Sequence, residues 1–282
     1  MFGQSIPLGF TGGVATSFNL DFVVVAGGGG MARMGRGGAG GAGGFRASIG
    51  SSLSGGGGAL ETAPIIETGI PYAITIGAGG ATFQYTQNGG QDGNDTTFSN
   101  ITSIGGGHAG ASTYSNPNVK RNGSDGGSGG GAANYMGSGT VGLGTTGQGF
   151  DGGLSPFPDA SGGGGGGAAS VGLPPAVNQY SPGGPGGAGI QNNITGTALY
   201  YSAGAGGIGM GVGANGTGWA AVQNTGNAAN YAALAAFSGV IILKYPDSYS
   251  PTFTAGVTQT TTSSAGFKIS VITAGSGDTV TF

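Results

Sequence analysis

The sequence predicts an all-β protein: a β-sandwich into which a bundle of polyproline II helices is inserted, with almost no α-helix. Three observations lead there. Glycine supplies 72 of 282 residues, and it falls in runs rather than singly. Several runs keep a three-residue beat, as in Arg36-Gly37-Gly38-Ala39-Gly40-Gly41-Ala42-Gly43-Gly44 and Pro182-Gly183-Gly184-Pro185-Gly186-Gly187. Between the runs lie short apolar, β-branched or aromatic segments, and no window carries a convincing amphipathic helix.

The beat of three is the period of the polyproline II helix, which makes no internal hydrogen bonds. Its N–H and C=O groups must therefore find partners on other segments. With glycine on two of three faces, neighbouring helices can approach almost backbone to backbone. Ordering glycine costs roughly 0.5–1 kcal/mol per residue beyond alanine, so only a dense hydrogen-bond lattice plausibly offsets it. Collagen needs one glycine per triplet in sustained register with high proline, and these runs are short with glycine often in two places of three. A flexible linker is set aside because 13 Phe, 10 Tyr and 1 Trp are too many aromatics for one.

The strand expectations follow in order. Phe18 to Ala26 (FNLDFVVVA) is rich in Val and Phe, and Pro71 to Ala78 alternates Tyr72, Ile74 and Ile76 on one face. Ser238 to Tyr245 is closed by Pro246; shorter candidates are Phe45 to Ile49, Thr96 to Ile104 and Leu199 to Ser202. At the C-terminus, Phe267 to Thr273 and Thr279 to Phe282 flank the turn-like Ala274-Gly275-Ser276-Gly277-Asp278 and are expected to form a hairpin. Its partner is expected to be the Phe18–Val25 region or the edge of a neighbouring copy. Asn227 to Phe237 is at most a short helix or turn. The glycine runs lie between the strands, so the bundle is expected between the first and last core strands. The expected division is a glycine-rich domain over 1–250 and a C-terminal hairpin extension over 251–282.

Composition excludes several function classes. Charged residues are 6% of the chain and the formal net charge is −3, so a nucleic-acid footprint is absent. There is no cysteine, hence no disulfide, no thiolate chemistry and no zinc site of the usual kind. The N-terminus lacks a basic region followed by an apolar one, so export by the general secretory route is not expected. The longest apolar stretch, 231–243, is interrupted by Ser238 and Gly239 and falls short of the ~20 residues of a membrane span.

Chemistry-bearing motifs are few. Gly126-Gly127-Ser128-Gly129-Gly130 matches G-x-S-x-G, but no strand-to-helix elbow or histidine partner accompanies it. G-x-G-x-x-G matches abound for the same compositional reason, and none opens a helix with an acidic residue about 20 positions on. Gly89 to Asp95 is a single imperfect copy of a calcium-binding nonapeptide and reads better as a turn into the next strand. His108, the one histidine, has no second candidate ligand beside it. Asp92, Asp95, Asp125, Asp151 and Asp159 are spread through loops; a glycosidase-like carboxylate pair stays open, with nothing pointing to one.

Five blocks occur in order: DFVVVAGGGG (Asp21–Gly30), GGAGGAGGF (Gly37–Phe45), GIPYAITIGAGG (Gly69–Gly80), NGGQDGNDTTF (Asn88–Phe98) and SGVIILKYP (Ser238–Pro246). Together they resemble the glycine-rich domain of tailed-phage virion proteins, especially of phages infecting marine cyanobacteria and other marine bacteria. The layout is also similar to the glycine-rich domain of the anaplastic lymphoma kinase receptor, where polyglycine helices are inserted in a jelly-roll-like sandwich, and to polyglycine tail-fibre tip adhesins of some enterobacterial phages. The chain departs from the receptor in having no cysteine or kinase, and from long fibres in having no coiled coil. GFKISVITAGSGDTVTF (Gly266–Phe282) resembles a strand pair that in many such proteins precedes the VVVAGGGG strand; here it lies at the opposite end.

The resemblance implies a non-enzymatic virion protein with no cofactor and no metal site, whose partners are other virion proteins or copies of itself and a host cell-surface glycan or outer-membrane component. No catalytic residue is carried over, because the shared motifs are scaffold. The recognition candidates are aromatics in loops between runs: Tyr85, Tyr114, Tyr135, Phe157, Tyr180 and Trp219. The rival expectation is a structural building block, a capsid decoration, fibre or filament subunit assembled through terminal strands.

Overall fold

The computed structural model describes residues 16–33, 35–84, 89–112, 121–134, 139–156, 161–176, 182–209, 213–232 and 235–282. The protein is nearly all-β, with several antiparallel sheets; among the described residues the sole helical element is one 3-10 turn at Gly55–Gly57. No helix among them is long and apolar enough to cross a membrane.

Ten strands form two five-stranded sheets. They are β1 (Asp21–Val25), β2 (Phe45–Ala47), β3 (Pro71–Thr75), β4 (Thr96–Phe98), β5 (Ile101–Ser103), β6 (Val240–Pro246), β7 (Thr252–Phe253), β8 (Thr258–Ser264), β9 (Phe267–Ala274) and β10 (Ser276–Thr281). The first sheet has the order β8-β9-β6-β1-β2 and the second β7-β10-β3-β4-β5, all pairs antiparallel.

Alternation along β1 and β6 explains why both read as unbroken apolar runs. Phe22, Val24, Ile241 and Leu243 turn to one face and join Ile74, Phe98, Ile101 and Val280 of the second sheet in a shared core. Val23, Val25, Val240 and Ile242 turn to the other, packing with Phe45, Ala168, Ile190 and Tyr201. A sheet covered on both faces has no polar side to show. Arg46 of β2 ties the sheets at one margin: its Nε and Nη2 donate to Glu61 at 2.7 and 2.6 Å, and its Nη1 donates to the Thr102 carbonyl of β5 at 3.1 Å.

Several expected strands change form. Phe18 to Ala26 is two strands: Ser17–Asn19 pairs with Ile65–Glu67, and Asp21–Val25 enters the first sheet. Thr96 to Ile104 folds back on itself as β4 and β5 around Ser99-Asn100, with Ser99 at φ 54°. Within Asn227 to Phe237 no helix forms among the described residues. The runs are not one continuous insertion either, since the chain returns to the sheets at β2 to β5 before reaching β6.

The expected C-terminal hairpin is corrected. Phe267–Ala274 pairs with β6 and β8 in the first sheet, whereas Ser276–Thr281 pairs with β3 and β7 in the second. The two strands part at the bend and take opposite layers, because Ile272 and Val280 both face the shared core. A tight hairpin does form one strand earlier, between β8 and β9. Its two-residue loop, Ala265-Gly266, has φ of 50° and 81°, as a type I′ turn requires. Residues 251–282 thus enter both sheets.

Apart from the 3-10 turn at Gly55–Gly57, the glycine runs are neither helix nor ladder, and their hydrogen bonds step by three. In 37–44, the N–H groups of Gly38, Gly41 and Gly44 donate to the carbonyls of Gly110, Gly107 and Ile104. Those of Ala39 and Ala42 donate to Gly163 and Gly166. The run 162–168 shows all three faces: Gly162, Gly165 and Ala168 donate to Ile208, Ala205 and Ser202; Gly163 and Gly166 to Ala132 and Gly129; Gly164 and Gly167 to Leu173 and Ser170. A step of three on every face is the repeat of the polyproline II helix. Glycine is required by proximity: a Cβ placed at Gly40 would fall on the carbonyl of Gly29, and one at Gly165 on that of Gly40. Where neighbours leave a methyl-sized gap the sequence has alanine, as at Ala39, Ala109, Ala205, Ala228 and Ala229, all fully buried around Met31.

Candidate functional site

The lattice has two unlike ends. At one, Val25 runs into Ala26–Gly30 and Gly44 runs into β2, so the runs issue from the first sheet. At the other, hydrogen bonds join the residues flanking successive inter-run loops. Gly38 donates to Gly110 and Gly110 to Gly131; Gly139 donates to Ala133 and Ala133 to Arg121; Gly162 donates to Ile208, Gly184 to Gly162 and Gly213 to Gly207. Side chains add to this rim: Asn134 Nδ2 donates to the Ser155 carbonyl at 2.7 Å, and Ser155 Oγ donates to the Ser161 carbonyl at 2.8 Å. Asn134, Ser155 and Ser161 are buried, and Asn134 Oδ1 accepts no hydrogen bond. The segments 113–120, 135–138, 157–160 and 210–212 are therefore flanked, within three residues on each side, by residues in a network of backbone and side-chain hydrogen bonds.

Five of the six candidate aromatics, Tyr85, Tyr114, Tyr135, Phe157 and Tyr180, lie outside the described residues. Trp219 is described, and it is away from the rim. Its segment is held near the sheet by Gly189 N–H donating to Thr217 and Ser202 N–H donating to Thr225. Its Nε1 donates to the Ala228 carbonyl at 2.9 Å, and its ring meets Phe237 edge-on at 5.9 Å. That geometry props the flank of a glycine run.

The aspartates have work in the lattice. Asp95 Oδ1 accepts the N–H of Gly105 and Asp92 Oδ1 that of His108, both at 2.8 Å. Asp125 accepts from Leu143 and Asp151 from Gly144, each at 2.7 Å. Asn122, Asn215 and Asn227 serve Thr140, Gly206 and Ala203 in the same way. These side chains stand in for carbonyls where a run lacks a backbone neighbour. Asp92 and Asp95 are three residues apart, as are Asn122 and Asp125, so each pair occupies one face of its run. The spacing was visible in the sequence as D-x-x-D and N-x-x-D; what it meant depended on knowing that the period was three. Asp159 lies outside the described residues. His108 is half-buried with Nδ1 2.9 Å from the Ala109 carbonyl. Among the described residues no cluster of three or more His, Asp or Glu could hold a metal ion.

Two groups have displaced proton equilibria. Burial pushes the Tyr201 hydroxyl up to about 12. The Ser276 N–H first, then the Thr254 hydroxyl and the Gly256 N–H, hold the exposed Asp278 carboxyl below its ordinary range. Both sit at sheet or turn positions away from the rim. A cleft of about 610 Å³ opens near the sheet end, bordered by Ser51, Ser52, Gln191 and Asn193 among glycines and alanines, with no ionisable side chain in its lining. It can exchange hydrogen bonds with a neutral polar molecule but has no acid–base pair for catalysis.

No family model, no curated protein and no solved structure matches this chain.

Proposed function

We propose that this chain is a non-enzymatic virion protein of a tailed phage, a tail-fibre or tip adhesin that holds variable loops on a glycine lattice for binding the host surface. On this reading the two sheets are a jelly-roll-like sandwich, the runs are an inserted polyproline II bundle, and the sandwich docks the lattice on the particle. The resemblance of the five glycine-rich blocks supports it. The observation that carries it is the rim: loop after loop starts and stops beside one network of backbone and side-chain hydrogen bonds, at the end of the lattice away from the sheets. A rigid base with interchangeable loops is how recognition surfaces combine stability with variation. The ligand class is a cell-surface glycan or outer-membrane component, met by aromatic and amide side chains of the loops, including Tyr114, Tyr135 and Tyr180.

The test replaces 113–120 and 177–181 with short glycine-serine turns, leaving the lattice residues Arg121, Gly172 and Leu173 in place. The variant folds and joins its particle, and host adsorption drops. Adsorption unchanged while assembly is lost refutes the adhesin reading in favour of a structural building block. That second reading has its own support in the β8 edge of the first sheet, which nothing covers among the described residues.

A further inference from the structure

A sheet edge is a row of unpaired N–H and C=O groups, and proteins shorten, cover or charge it to prevent unplanned pairing. Three of the four edges in this sandwich are treated so. At β2 the Phe45 N–H donates to the Gln148 carbonyl, and the Glu61 N–H donates to the Ala47 carbonyl. At β5 the Thr102 carbonyl accepts from Arg46 Nη1 and Gln148 Nε2. The third edge, β7, is only two residues long. The fourth is β8, TQTTTSS, seven residues with every position exposed except the half-buried Gln259. It holds no charge, proline or glycine.

The turn fixes which groups of β8 are free. A two-residue hairpin loop closes on a mutually hydrogen-bonded pair, here Ser264 and Phe267. Alternation then assigns Thr262 with Ile269 and Thr260 with Val271 to the bonded set. The N–H and C=O groups of Gln259, Thr261 and Ser263 point the other way, and none takes part in a backbone hydrogen bond outside the ladder among the described residues. On the inner side the strand is held by hydroxyls: Thr261 Oγ1 lies 2.7 Å from Ser270 Oγ, which lies 2.7 Å from Tyr245 Oη in the core. A register slip of one residue would break that chain, so the free groups are presented in one fixed phase.

We infer that β8 pairs antiparallel with β8 of a second copy, joining two five-stranded sheets across a two-fold axis at Thr261. The chemistry of the strand selects this occupant. With Thr261 on the axis, Thr260 faces Thr262 and Gln259 faces Ser263 of the other copy. Every cross-strand pair is hydroxyl to hydroxyl or amide to hydroxyl, favourable in a sheet. An identical strand is repelled only by its own charges, and this one has none. A single strand pair falls at the small, transient end of interface sizes, so association depends on concentration. This concerns the sheet edge, not the loop rim, so failure of loop-mediated adsorption leaves it standing, and the reverse.

The experiment uses the full chain. Light scattering over a concentration series gives a mass that rises toward twice the monomer. Thr261→Pro deletes the central outward N–H at a position where an edge strand tolerates proline, and holds the mass at the monomer. Thr260→Lys with Thr262→Lys does the same by facing cations with cations, and it decides the matter if the proline variant melts early. Because the chain has no cysteine, Thr261→Cys adds one thiol. Directly opposed bonded residues have Cα atoms about 5.5 Å apart, within disulfide reach. Mild oxidation therefore yields a covalent dimer from Thr261→Cys and none from Thr258→Cys. A wild-type monomer at all concentrations, or a dimer that survives both the proline and the lysine variants, overturns the inference; the former outcome leaves the edge to a different partner.

Discussion

Gly165→Ala tests whether the lattice is as close-packed as its hydrogen bonds imply. The added Cβ would meet the Gly40 carbonyl, with the Gly41 nitrogen 2.9 Å away. All three are backbone atoms of a buried run, so no side chain can rotate clear. The runs must separate, and the bonds on either side of the contact, Ala39 to Gly163 at 3.1 Å and Ala42 to Gly166 at 3.0 Å, stretch with them. Overpacking costs about 1–3 kcal/mol, and two weakened buried hydrogen bonds add roughly 1 kcal/mol each. Against this, replacing glycine stabilises by about 0.4–1 kcal/mol through the unfolded chain. The net is a loss of about 2–4 kcal/mol, a large share of the 5–15 kcal/mol typical of a domain. Gly58→Ala is the matched control. Its φ and ψ of −67° and 151° suit alanine, and its new Cβ would lie 3.1 Å from Gly147 Cα, a tight contact relieved by a shift of a few tenths of an ångström, so the change costs far less than Gly165→Ala. Urea unfolding followed by far-UV circular dichroism reads both. A midpoint for Gly165→Ala equal to or above wild type would refute the close-packed lattice.

Three further outcomes follow from the same structure. Asp95→Asn keeps an oxygen for the Gly105 N–H and changes stability little, whereas Asp95→Ala leaves that donor without its charged acceptor and costs about 1–3 kcal/mol by chemical denaturation. The Asp278 carboxyl is held below its ordinary 3.8, so its contribution is present above that pH and lost as pH falls through the lowered value; Asp278→Asn flattens the acid limb of a melting-temperature profile there. Tyr201 is raised from 10.0 to about 12, so its contribution is complete below pH 10.0 and lost as pH rises toward 12; Tyr201→Phe removes this alkaline dependence.

Much of the fold is legible from local signals. The X-Gly-Gly beat states a period of three, and a period of three without internal hydrogen bonds demands inter-run bonding; 162–168 meets that demand on three faces and 37–44 on two. The runs of DFVVVA and VIILKY announce strands buried on both sides, and β1 and β6 are neighbours at the centre of the first sheet. The site is less legible. Trp219 looks like a recognition residue by type and loop position, yet its indole N–H is used by Ala228 and its ring by Phe237. Asp92 and Asp95 look like candidate ligands or acids and are instead acceptors for a neighbouring run.

The sequence by itself determined the class of structure, because glycine spacing and strand patterning are local properties written residue by residue. Tertiary structure alone decided the partners. Residues 267–282 read as one hairpin, since a turn-like segment between two apolar stretches is the local signal for it. In the sandwich, Ile272 and Val280 bury into the same core from opposite layers, and a bend between sheets satisfies both better than a two-stranded ribbon in water. Likewise TQTTTSS carries no apolar pattern, and it becomes a strand only because β9 offers it a ladder and a type I′ turn delivers it there. Which run bonds to which, which aspartate replaces which carbonyl and which edge stays open depend on contacts distant in sequence, where no local period reaches.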